Sequence, residues 1–483
     1  MRVDRRVEPG RRSGVLDNMG RHTWSCWAAI LSALVGGVCS SVCAEDAAAA
    51  PDGVRAPFCG QNHPVTAKTL GCSDARLSDI KALSAFPAVE ALDLFEARRL
   101  TDLSPLRSLQ RLRVLRLHDL GVTDLSPVGA LENLERLSIR EVSRCNLSAL
   151  APLQKVRDLD LSCPQDTDLA PLGELRGIEE MMLRVQAPAD LSFLGRMSAL
   201  RSLMVQDFEG NGVRNLGAAP RLEALELSGN DRGNLLDMAS LSRLPMLRTL
   251  IVNGWGGTPL APLGALSKLR RLIVSGNGSR ELQDVSFLGR LVNLEELELG
   301  NTGTSKLSAL GRLRRLRRLS LWAQRALPDL TWMRKLTALE ELVLGAQNTL
   351  DVSAIAGLVA LRKLDLPATK SLAPLGGLRE LSKLQLRAPR ATELSQLKNL
   401  SKLQSLEIWN GDQLDLAPLV DLAQLATLNL LRTTLADYQQ LLELTQLKRL
   451  ELSETSVPES WTGTLRRAHP KLELRSRALC HHE

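Results

Sequence analysis

The residues that could do chemistry in this sequence are few, and their spacing does not suit it. The six histidines are His22, His63, His118, His469, His481 and His482. A zinc hydrolase needs two histidines one helical turn apart with a carboxylate beside them, so that one helix face grips the metal and the acid activates water. No pair here has that setting. Gly276-Asn277-Gly278 is a glycine-rich turn, but no lysine follows it to hold a phosphate, and glycines of this kind serve turns that need positive φ. Cys480-His481-His482 brings three metal-binding types together. Three adjacent residues cannot spread around a tetrahedral ion, so no metal is expected there. No cofactor and no catalytic residue is assigned, and an enzyme is not expected.

Two other chemistries remain, cross-linking and recognition. Five cysteines follow residue 44: Cys59, Cys72, Cys145, Cys163 and Cys480. If the chain is exported, a Cys59–Cys72 disulfide would staple the N-terminal end of the folded region. The pairing of Cys145, Cys163 and Cys480 is left open. Recognition is suggested by large apolar residues set among polar ones: Phe95, Met182, Met204, Ile251, Ile273, Trp322 and Trp409, with Trp255 nearby. What they could touch depends on the elements that carry them.

Those elements are copies of one hexad. Leu294-Glu295-Glu296-Leu297-Glu298-Leu299 has leucine at its first, fourth and sixth places. The central residue recurs at Leu92, Leu115, Leu137, Leu159, Met181, Leu203, Leu225, Leu250, Leu272, Leu297, Leu319, Leu342, Leu364, Leu384, Leu406, Leu428 and Leu450, at intervals of mostly 22 residues. A length of 483 residues would otherwise suggest about three globular domains. A sustained period overrides that, because each unit can bury its apolar face only against its neighbours. The second half of the unit reads Leu103-Ser104-Pro105-Leu106, Leu169-Ala170-Pro171-Leu172 or Leu260-Ala261-Pro262-Leu263. Leucines three apart match a 3₁₀ turn, and proline suits its first positions, where the missing N–H has no partner to lose.

A 22-residue period with a proline-marked return resembles the internalin-like family of bacterial leucine-rich repeat proteins, over about residues 67–452. The resemblance implies a curved solenoid whose concave sheet binds another protein. The expected fold class is α/β: a leucine-rich repeat solenoid with a curved parallel β-sheet on its concave face and 3₁₀ or short helical returns on its convex face. Asparagine holds the usual turn position only at Asn230 and Asn277. At the N-terminal end Ala67, Leu70 and Cys72 occupy the places of a degenerate first strand.

Residues 24–44 are uncharged and follow Arg21 and His22, and Val42-Cys43-Ala44 fits a cleavage site. They are expected to be a secretory signal, with a membrane anchor as the alternative, and Met19 could be the true start. The expected order is a signal at residues 1–44, a linker and N-terminal cap at 45–64, the solenoid of about 17 repeats at 65–456, and a C-terminal cap and tail at 457–483. The whole chain has 61 Lys+Arg and 54 Asp+Glu; residues 1–44 hold six and three, leaving 55 minus 51, or +4.

Side chains alternate along a strand, so the positions one before, one after and three after each central leucine face outward. These 51 positions hold ten Lys/Arg and eleven Asp/Glu. A near-neutral face argues against nucleic acid, whose phosphates want a continuous positive one. Arg271, Glu296, Arg318, Glu341 and Lys363 alternate in sign on five successive strands, a ladder that steadies the sheet. Trp322 and Trp409 stand in one row. The expectation is an exported monomer, periplasmic or secreted, that binds a protein partner. A cytosolic regulatory subunit and a host-directed effector are the alternatives.

Overall fold

The chain divides into two units, Met1–Val54 and Arg55–Glu483. The structure, a computed structural model, describes residues 54–477 apart from 165–166, 186–188, 209–212, 230–237, 255–258, 276–281, 283, 301–306, 324–325, 328 and 390–392. Residues 24–44, Trp255 and Cys480-His481-His482 therefore lie outside the described residues.

Each leucine hexad is a short parallel strand, and nineteen strands from Thr69–Ser73 to Glu473–Arg477 form one sheet, with Ala189–Asp190 and Val213–Arg214 paired separately. The central residues sit in register throughout: Leu92 pairs with Leu115, Leu272 with Leu297, Leu297 with Leu319, and Leu428 with Leu450. Leu70 and Leu474 extend the stack by one rung at each end. Burial alternates with side-chain direction. In Arg318–Trp322, Leu319 and Leu321 are buried while Ser320 and Trp322 are half-buried. Each buried leucine contributes about 1.5–3 kcal/mol, and a rung has partners on both sides.

The return half of each repeat is a 3₁₀ turn in most copies. Leu106 N–H donates to Leu103 O at 2.9 Å, Leu109 to Leu106 at 2.9 Å and Leu112 to Leu109 at 3.0 Å, so leucines three apart fall on one buried side. Proline stands at the first positions of Ser104–Ser108, Ala170–Glu174, Ala261–Ala265, Ala373–Gly377 and Ala417–Leu419. An aspartate closes the entry: Asp102, Asp124, Asp168, Asp329 and Asp351 each accept the backbone N–H two residues ahead, at 2.8 to 3.0 Å. Those bonds favour the carboxylate, and Asp102 and Asp124 are held below the ordinary aspartate range chiefly by the N–H of Ser104 and Ser126.

Near the strand ends the backbone turns left-handed without glycine, just past the strand at Glu96, Ala388, Asn410, Arg432 and Glu454 and one residue before the end at Asp119 and Glu141, with φ between 49° and 56°. Each costs about 1–2 kcal/mol in backbone strain. The turn has a return: the N–H groups of Glu96, Ala388, Asn410 and Arg432 reach the next strand at 2.7 to 3.0 Å and carry the ladder one bond further.

At the N-terminal end an antiparallel hairpin, Arg55–Phe58 with Gln61–Pro64, precedes the sheet. Phe58 packs edge-on to Phe86, with ring centroids 6.4 Å apart, and Cys59 is bonded to Cys72 with Cα atoms 5.6 Å apart. A second disulfide joins Cys145 to Cys163, Cα atoms 5.8 Å apart. Their different offsets from the central leucines gave no reason to expect it. The two cysteines follow adjacent strands, and loop paths of unequal length bring them together. At the other end Leu465 of the helix Thr462–Ala468 is buried ahead of the last strand.

Candidate functional site

Opposite the leucine stack, each strand turns alternate side chains away from the core. Trp322 and Trp409 occupy the last of these places, on strands Arg318–Trp322 and Ser405–Trp409. Both are half-buried. The Trp322 ring leans over the neighbouring strand, where its register partner is Gly345, and its Nε1–H donates to Ser320 Oγ at 2.8 Å. Trp409 lies between Arg387 and Leu431 in register, and its Nε1–H donates to Glu407 Oε1 at 2.5 Å. Four strand spacings separate the two, roughly 19 Å at about 4.8 Å each.

The other apolar candidates divide. Phe95 is half-buried and meets His118 edge-on, ring centroids 4.9 Å apart. Met182 and Met204 are register partners, also half-buried, and their sulfurs accept from Arg184 and Gln206, each at 3.0 Å. Ile251 and Ile273 correct the expectation of free apolar groups: only 8% and 6% of their surfaces are exposed. They pair with each other and stand between Glu226 and Glu298. Burial raises both of those carboxyl groups above the ordinary glutamate range, the sign of a crowded stretch.

The N-terminal part of this face is a closed polar network. Arg116 pairs with Asp93 at 3.0 Å, and Asp160 receives Arg140 together with Arg184 at 3.0 Å. Ser138 Oγ lies 2.7 Å from His118 Nε2 and donates to Asp160 at 3.2 Å. A serine beside a histidine invites a catalytic reading, and the network does not support one. Asp160 is occupied by two guanidinium groups and bonds the serine, whereas an activating base needs a carboxylate on its own second nitrogen. Burial, with Arg140 next, pushes His118 down to about 4, which leaves it a neutral and weak base. The Glu296 ladder is present too, with Arg271 at 3.3 Å and Arg318 at 2.7 Å.

A longer charge ladder escaped sequence reading. It runs one residue before the strands proper: Lys68–Glu90 at 3.0 Å, Arg113–Glu135 and Arg157–Glu179 at 2.8 Å, Arg201–Glu223 at 3.3 Å, Arg270–Glu295 at 3.2 Å and Arg317–Glu340 at 3.1 Å. The sign alternation at that one hexad place was the signal that could have found it. Among the described residues no group of three His, Cys, Asp or Glu side chains could hold a metal ion, and no helix is long and apolar enough to cross a membrane.

No protein-family model and no curated protein matches the sequence. Solved structures do match the fold. A leucine-rich repeat protein of Leptospira interrogans is 21% identical, with a TM-score of 0.63 over 77% of this chain and 98% of that one. The plant peptide hormone receptor RGFR1, solved in complex with RGF2, is 17% identical, with a TM-score of 0.52 over 86% and 80%. An internalin of Listeria monocytogenes is 22% identical, with a TM-score of 0.42 over 68% and 83%. With a fold similar to that of the Leptospira protein, a registered leucine stack and 3₁₀ returns, the chain has the leucine-rich repeat solenoid fold.

Proposed function

We propose that this chain is an exported, non-enzymatic leucine-rich repeat protein that binds a partner protein through the solvent-facing side of its sheet, in the stretch from about Leu247 to Ile408. The observation that carries this reading is the pair Trp322 and Trp409, held in one row on the side away from the core. Aromatic anchors of this kind supply most of the energy at protein interfaces, and the distance between them fits an interface of about 800 Å² per partner. Met182, Met204 and Phe95 extend the half-buried apolar surface N-terminally. Export is favoured by the two disulfides, which persist in oxidising compartments. The plant receptor among the similar structures was solved in complex with RGF2, so a solenoid of this kind can present a binding face.

The test is capture of partners from the native host with wild type and with the Trp322→Ala/Trp409→Ala double variant. Each substitution should weaken binding by about 2 kcal/mol with circular dichroism unchanged. Equal recovery of the same partner by a folded double variant would reject the tryptophan row. N-terminal sequencing of the native protein checks export separately: a mature start at Glu45 supports it, and an intact Met1 or Met19 in the cytoplasm sinks it.

A further inference from the structure

The solvent-facing side of the sheet is not uniform along the array. As far as strand Arg318–Trp322 its cations find carboxylates on neighbouring strands: Arg116 on Asp93, Arg140 and Arg184 on Asp160, Arg271 and Arg318 on Glu296. The next rung pairs Lys363 with Glu341 at 3.9 Å, the same distance as Arg136 to Asp158. At the following strand the alternation fails. The register partner of Lys383 is Lys363, another cation, and on its far side stands Ser405. Among the described residues, no ion pair or hydrogen bond engages the side chain of Lys383 or of Arg387, four residues along the same strand.

Like charges facing each other across a strand pair oppose the fold, here as at Asp158 and Glu180. Beside it Asp365, the register partner of Gln385, keeps a buried carboxylate oxygen without a donor. Trp322 and Trp409 flank these strands on either side. The surface therefore offers two apolar anchors and, between them, two cations without an ion pair, Lys383 and Arg387.

Resting on the reading that the tryptophan row binds a partner protein, we infer that what this stretch receives is an acidic, extended segment of that protein, its carboxylates held by Lys363, Lys383 and Arg387 and its apolar side chains by Trp322 and Trp409. Extended chain advances about 3.3 Å per residue, so about six residues bridge the two rings. A basic segment would meet three cations. A phosphate backbone wants a continuous positive track, which Lys363, Lys383 and Arg387 on two adjacent strands do not make.

The experiment uses the full chain and fluorescence anisotropy with three labelled peptides of about 12 residues, identical except that every third residue is Glu, Gln or Lys, and an oligo-dT of similar length. The Glu peptide is expected to bind about tenfold more tightly than its Gln twin, and the Lys twin and the oligonucleotide more weakly still. In a Lys383→Gln/Arg387→Gln variant the advantage of Glu over Gln should shrink at least about fivefold while the Gln peptide is unaffected. Equal binding of the Glu and Gln peptides, absence of binding by the Glu peptide, preference for the Lys peptide or the oligonucleotide, or indifference to the double variant would each overturn the inference. Both side chains project to solvent, so the variant should fold, and circular dichroism checks that. Native-partner capture separates this failure from the failure of the functional reading. Recovery that depends on Trp322 and Trp409 but not on Lys383 and Arg387 defeats only the acidic segment; recovery independent of the tryptophans defeats the reading beneath it.

Discussion

Gly345→Ala tests how Trp322 is held, because a methyl group there enters the space of the ring. An ideal Cβ at Gly345 would lie 2.2 Å from Trp322 Cε3 and 2.8 Å from Cζ3. Carbon atoms rest at about 3.5–4.0 Å, so one partner must move by more than about 1 Å. The backbone is pinned: Gly345 is in register with Trp322, and its carbonyl accepts Ala323 N–H at 2.8 Å. The ring is the part that can yield. Swinging it away gives up the 2.8 Å bond to Ser320 Oγ and part of its burial, a loss of about 1–2 kcal/mol. The leucine stack is untouched, so circular dichroism and the strand ladder should not change. Partner binding should fall about tenfold, and tryptophan emission should shift relative to a Trp322→Phe control. In a Trp322→Ala background Gly345→Ala should have no further effect on binding, since the two act through one contact. Additive losses in the double variant, or unchanged emission and binding in the single one, would refute the packing of Trp322 across Gly345.

Three further perturbations address the core, the cross-links and a buried acid. Leu297, 1% exposed between Leu272 and Leu319, should not tolerate Leu297→Asp; a truncation alone costs about 2–5 kcal/mol, and urea unfolding should move to lower concentration and lose cooperativity, whereas an unchanged curve would place Leu297 outside the stack. Intact-mass analysis after alkylation of unreduced, unfolded protein from an oxidising compartment should find Cys59, Cys72, Cys145 and Cys163 unlabelled, and a label on any of them would refute that bridge. Burial pushes Asp365 up from 3.8 to about 6, so between those pH values the native chain binds more protons than the unfolded one and stability falls as pH rises. The fall is on the order of 2–3 kcal/mol at most; urea midpoints from pH 4 to 7 should decline less steeply for Asp365→Asn, and parallel slopes would refute the burial of that carboxylate.

The fold was legible because its signal repeats. A leucine at one hexad place is weak, and the same leucine at 22-residue intervals fixes register, strand direction and buried side together. The solvent-facing side was harder to read, since alternation says where a side chain points and not what covers it. Ile251 and Ile273 show the limit: their positions were readable, their burial was not, because it depends on how neighbouring strands fill the space between Glu226 and Glu298. The Cys145–Cys163 bridge was hidden for a related reason. Hexad offsets measure distance along the chain, and loops of unequal length can bring unequal offsets to one point. The Asp102-type entry bonds were hidden by habit more than by physics, since an aspartate two residues before a serine or alanine at a turn is a local capping pattern.

The like-charged rung at Lys363 and Lys383 weighs more in this fold than it would in a globular protein. Here the energy that holds the chain comes from the leucines behind the sheet, about 2–5 kcal/mol for each truncation. An exposed ion pair in front of it contributes only about 0–1 kcal/mol. Residues on the front can therefore change with little effect on folding, and even so the N-terminal stretch keeps Asp93, Asp160 and Glu296 matched to arginines. Like-charged rungs are tolerated at that cost, Asp158 beside Glu180 as well as Lys363 beside Lys383. A carboxylate at Lys383 would continue the ladder from Lys363 and relieve the repulsion, so folding does not favour the lysine. The break falls between the two tryptophans, on the strands where an anionic partner segment would complete the charges that the sheet leaves open.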